Sequence, residues 1–140
     1  MRGILIFLAI GLFFLSTTAE GADWEFLGKD ETGNISVYID KENIKYVSKT
    51  AVRVWVKTLY EKPSQFESKF INESLSYREH YCNEGKYKLL QVSFYYTDGT
   101  SDSFTPEANN YRYVIPDIYV RIRQNTFEDY IRNYLCNKGK

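Results

Sequence analysis

Short runs in which apolar residues recur at every second position fill most of this chain, and near residue 127 the period changes. Residues 51–61 are the clearest case. Val52, Val54, Val56, Thr58 and Tyr60 fall on one side, and Arg53, Trp55, Lys57 and Leu59 on the other. Side chains of a strand alternate between its two faces, so this segment is a strand with one dry face and one mixed, partly wet face. Weaker versions occupy 24–28, 35–40, 74–83, 86–97, 100–104 and 117–123. Glu84-Gly85 and Asp98-Gly99 stand between runs as hairpin signals, Asp40 is placed to cap a helical turn at 41–43, and Pro63 is expected to break the third run. Residues 66–73 carry no clear pattern and read as a loop or short helix. From Phe127 the apolar positions are 127, 130, 131, 134 and 135, the stripe of an amphipathic helix. Thr126 followed by Asp129 resembles a capping box at its start. The fold class is therefore α+β: an antiparallel sheet of about six strands with a C-terminal helix packed on it.

The first residues belong to a different regime. Arg2 precedes an uncharged apolar run over 3–15, and Ser16-Thr17-Thr18-Ala19 follows. A positive start, a short apolar stretch and small residues before a cleavage point are the parts of a secretory signal. The run is shorter than the ~20 apolar residues of a membrane span. Cleavage after Ala19 suits the small Thr17 and Ala19, and cleavage after Ala22 ranks second because it places Glu20 where a small residue is usual. Residues 1–19 are thus expected to be a signal peptide and 20–140 a single domain without a transmembrane anchor. The location is exported: periplasm, cell surface or secreted.

Export determines how Cys82 and Cys136, the two cysteines of the chain, are read. In an oxidising compartment an even pair is a disulfide, and it would clamp the terminal helix to the sheet. Closing a loop of that length stabilises the fold by about 4 kcal/mol in the chain-entropy model. Charge is balanced, with 18 basic and 18 acidic residues, so no global field attracts nucleic acid. Tyrosine is over-used, with 13 in 140 residues. Tyr111-Arg112-Tyr113 and Tyr119, Arg121 and Arg123 interleave rings with cations, a pattern that serves protein interfaces as well as ordinary strand surfaces.

No set of residues announces catalysis. His80 is the one histidine, with no nucleophile motif around it, and reads as an exposed strand residue. Asp98-Gly99-Thr100-Ser101-Asp102 lacks the spacing of a calcium loop. No cofactor or metal site is expected.

Several stretches taken in order resemble the surface-adhesin protein E family of exported bacterial proteins. They are Trp24, Leu27, Gly28 and Asp30; Val37-Tyr38-Ile39-Asp40 with Ile44; Val52-Arg53-Val54-Trp55-Val56-Lys57-Thr58; Cys82 with Lys86-Tyr87-Lys88-Leu89-Leu90; Tyr95-Tyr96-Thr97-Asp98-Gly99; Ile115-Pro116; and Cys136. The resemblance implies a sheet of about six strands with a helix held to it by the cysteine pair. Its named member is an outer-surface adhesin that binds host matrix and serum proteins. Tyr81 stands before Cys82 where the family usually has Asp, and no binding residues of the adhesin carry over. The expected function is an exported, non-enzymatic domain that binds an envelope or host protein. The alternative is a periplasmic structural or assembly factor, and a small hydrolase using His80 ranks third.

Overall fold

The computed structural model describes residues 22–105 and 119–138. The expected signal peptide and Tyr111, Arg112 and Tyr113 lie outside the described residues. Among the described residues eight strands form one antiparallel sheet: β1 (Trp24–Lys29), β2 (Ile35–Asp40), β3 (Lys45–Tyr46), β4 (Ala51–Phe66), β5 (Lys69–Tyr81), β6 (Lys86–Tyr96), β7 (Ser101–Phe104) and β8 (Tyr119–Arg121). Their order is β1-β2-β4-β5-β6-β7, with β3 beside β4 and β8 beside β6. The sheet is thus larger than the six strands expected, because the two short strands β3 and β8 extend the flanks of β4 and β6. Helix α1 (Phe127–Asn137) packs across one face.

Two expectations are corrected in β4 and β5. Pro63 does not end its strand. The pairing slips between Leu59 and Ser64, so Pro63 falls where no ladder N–H is required, and β4 runs on to Phe66. Residues 66–73 are neither loop nor helix. Glu67 adopts φ +53° in a tight turn, and β5 begins at Lys69. Asp40 does precede a single 3₁₀ turn at Lys41–Asn43, but its carboxylate accepts from Asn43 Nδ2 at 2.7 Å and caps no backbone N–H.

The core follows the alternation. Val52, Val54 and Val56 of β4 and Val37 and Ile39 of β2 meet Ile131 and Leu135 of α1, all of them buried. Eleven residues form a marginal helix alone, so this apolar contact is what stabilises α1. Its start is capped as read: Thr126 Oγ1 accepts from the Asp129 N–H at 3.3 Å. The reciprocal bond goes one residue further out, from the Asn125 N–H to Asp129 Oδ2 at 3.1 Å. Phe127 lies over Gly28, where β1 bulges. A Cβ there would come within 3.2 Å of the Phe127 ring, and the φ of +155° is one that side chains rarely adopt, so both favour glycine. Cys82 and Cys136 are bonded, with their Cα atoms 5.7 Å apart, and tie the end of α1 to the end of β5. Tyr46 Oη donates to the Leu135 carbonyl at 3.2 Å, closing one of the open acceptors of the last turn.

Next to the apolar core, the helix rests on a polar strip. On β5 the side facing α1 is Ser76, Arg78 and His80, all buried. Arg78 donates from Nε to Ser76 Oγ at 2.7 Å and from Nη1 to both Glu128 oxygens at 3.0 and 2.8 Å. His80 is 0% exposed, and neither ring nitrogen has a hydrogen-bond partner. The exposed histidine expected from sequence is therefore buried under the helix, with its ring against Tyr87 at 5.1 Å. Burial pulls its pKa down to about 3, helped by the Arg78 and Arg132 charges.

Candidate binding face

Among the described residues, no helix lies on the other face of the sheet. Its make-up follows from register. Where strands pair, facing residues share a side, so the pairings place Phe26, Tyr38, Lys57, Leu75 and Ser93 in one transverse row. The next row is Trp55, Tyr77 and Gln91. Beyond it stand Lys45, Arg53, Glu79, Lys88 and Tyr119, and then Tyr81, Lys86 and Arg121. Neighbours within such a row are separated by the ~4.8 Å between strands, close enough for rings and cations to touch.

They do touch. Trp55 and Tyr77 stack with centroids 4.9 Å apart. Phe26 and Tyr38 lie 5.3 Å apart. Lys57 Nζ sits 4.5 Å from the Trp24 ring and 5.0 Å from that of Tyr38. At the far end Lys86 Nζ is 4.6 Å from the Tyr119 ring, which itself lies 5.9 Å from Tyr81. Phe26 is 52% exposed and Tyr119 46%, so large rings face solvent at both ends of the surface.

A hydrogen-bonded trio fixes the middle of the basic half. Glu79 accepts from Arg53 Nε and from Tyr81 Oη, each at 2.5 Å. Burial works to raise the Glu79 carboxyl, and the bonds from Tyr81 and Arg53 outweigh it, holding the group below the ordinary carboxylate range. Burial and the Glu79 charge push the Tyr81 phenol up, so both groups keep their usual states at neutral pH.

Of the residues singled out in the sequence, Tyr119 and Arg121 are brought to this face by β8. Arg123 is not; it stands in the turn before α1, where its carbonyl accepts from Thr126 Oγ1 at 2.7 Å. Cys82 and Cys136 are bonded, and His80 is enclosed on the opposite side of the sheet. The sequence reading missed the Trp55–Tyr77 stack and the Arg53–Glu79–Tyr81 trio. The mixed alternate face of 51–61 was the available signal, but its partners came from β5 only through register. Among the described residues no cluster has the composition of a metal site, and no helix is long and apolar enough to cross a membrane.

The family model for surface-adhesin protein E matches residues 24–137. The chain belongs to that family. Among solved structures, protein E of Haemophilus influenzae (crystal form II) is similar, with a TM-score of 0.52 at 16% identity, over 87% of this chain and 97% of the other. At that identity the likeness concerns the fold. No curated protein matches the sequence. Family membership supports the reading as an adhesin-like surface protein. The fold accounts for the motifs that recur in the family resemblance: alternate residues of Val52–Thr58 build the core, and the cysteine pair holds the helix.

Proposed function

We propose that this chain is an exported, non-enzymatic binding domain that engages a protein partner through the helix-free face of its sheet. Residues 1–19 serve as the signal peptide and 20–140 form the single domain that remains. The observation that carries the reading is the Trp55–Tyr77 stack at the middle of that face, flanked by exposed Phe26 on one side and Tyr119 on the other. Interfaces concentrate their energy in such central aromatic residues, with cations around them. The enclosed His80, with no partner on either nitrogen, gives no support to a hydrolase reading.

The partner decides between an adhesin and an envelope assembly factor, and one experiment addresses both. Purified, disulfide-bonded protein is presented in parallel to extracellular-matrix proteins and to envelope extract, alongside Trp55→Ala and Tyr77→Ala variants. Capture of a matrix protein that weakens about tenfold or more in the variants supports the adhesin reading. Capture of an envelope protein with the same sensitivity supports the assembly factor. Binding that is indifferent to both substitutions overturns the assignment to this face.

A further inference from the structure

Helix α1 keeps step with β5. Two residues advance a strand by ~6.7 Å and four advance a helix by ~6 Å, so residues at those spacings meet repeatedly. Three rungs result. Arg78 Nη1 holds Glu128 at 2.8 Å, His80 is acted on by the charge of Arg132, and Cys82 is bonded to Cys136. The outer rungs are an ion pair and a covalent bond. The middle one has neither: His80 is fully buried, and neither ring nitrogen has a hydrogen-bond partner.

The surroundings of the ring require it to stay neutral. Val52 of β4 and Tyr87 of β6 pair with His80 across the sheet, and burial raises the Tyr87 phenol, so neither brings a charge. Arg78 on β5 lies 4.7 Å from the Tyr87 ring, and its charge and that of Arg132 on α1 both oppose a proton on the imidazole. The carboxylates of the first helical turn are engaged. Glu128 accepts from Arg78, and Asp129 pairs with Arg132 at 2.7 Å. An imidazolium enclosed here would have two guanidinium charges beside it and no hydrogen-bond partner.

We propose that the middle rung is an acid-sensitive latch: for His80 to take up a proton, the first part of α1 must lift from β5, while the Cys82–Cys136 bond keeps the last turn in place. In the lifted form the imidazole reaches water, Arg78 and Glu128 separate, and the valine side of β4 loses part of its cover. The lifted form titrates as an open histidine at 6.5, and the closed form at about 3. Protons therefore favour the lifted form below pH 6.5, increasingly so down to about 3. Between pH 7 and pH 5 its ratio to the closed form rises about 25-fold.

The test is hydrogen exchange on the purified, disulfide-bonded chain at pH 7 and pH 5, corrected for intrinsic amide rates and repeated in low urea. The α1 amides are expected to open about 25-fold more at pH 5, by a route that urea barely accelerates. The β4–β5 ladder is expected to exchange more slowly and with a strong urea dependence. In His80→Leu the α1 ratio between the two pH values is expected to fall below about threefold. If that variant does not fold, His80→Gln is expected to give the same loss. Glu128→Gln removes the ionic rung and is expected to raise α1 opening at both pH values with the ratio unchanged. The proposal is overturned if α1 and the ladder share one opening constant and one urea dependence, or if the His80 variants keep the parent ratio. It is equally overturned if the ring signals of the one histidine titrate near pH 6.5 in NMR spectra of untagged protein while α1 keeps its protection.

Discussion

His80 shows how one side chain sets an acid limit on a fold. Its ring is enclosed without a partner, with the Arg78 and Arg132 charges working with burial to hold its pKa at about 3, against 6.5 for an open histidine. Between those values the unfolded chain binds a proton that the native chain refuses. Stability therefore falls as pH drops below about 6.5 and stops falling from this source near 3. Unpaired buried polar atoms are a standing cost as well. His80→Leu is expected to raise stability by about 1 kcal/mol at pH 7 and to flatten the decline toward pH 4, read as urea midpoints across that range. A variant less stable at both ends would show that the imidazole makes a contact worth more than its desolvation.

At the scale of elements, α1 depends on contacts that its own eleven residues cannot replace. Ile131 is wholly buried against the β4 valines, and Ile131→Ala is expected to cost about 3 kcal/mol by denaturant unfolding, transfer and cavity terms together. Thr126→Ala removes only the N-cap and is expected to cost about 1 kcal/mol. The helix was legible in the sequence because its stripe, its cap and its period all agreed. So was β4, whose alternate valines leave one register. β5 was not. Its helix-facing side is Ser76, Arg78 and His80 while Leu75 and Tyr77 point the other way, so alternation marks the buried side as the wet one. Polarity inverted there because Arg78 finds Glu128 on the helix, a partner 50 residues away that no local pattern reveals. The turn at Glu67 was hidden for a related reason: its positive φ falls on a residue other than glycine. The helix-free face was half legible. Tyr119 and Arg121 stood out as alternating ring and cation, but their neighbours Tyr81 and Lys86 came beside them only through pairing across β6.

Across the whole molecule, one covalent bond joins the two layers. The link from Cys82 to Cys136 spans 54 positions and encloses β6, β7 and β8. Replacing both cysteines with Ala is expected to lower stability by about 4 kcal/mol, and hydrogen exchange is expected to rise first in α1, while the β4–β5 ladder keeps its protection. Equal loss of protection in both would mean that sheet and helix open as one unit. The layers also have an order in time. The helix that covers Val52, Val54 and Val56 follows every strand in the chain, so it is the last of these elements to leave a ribosome or a translocation channel. Until it does, the valine side of the sheet has nothing to rest on and Cys82 has no mate. The disulfide that ties helix to sheet can therefore form only once residue 136 has arrived in the same compartment as residue 82.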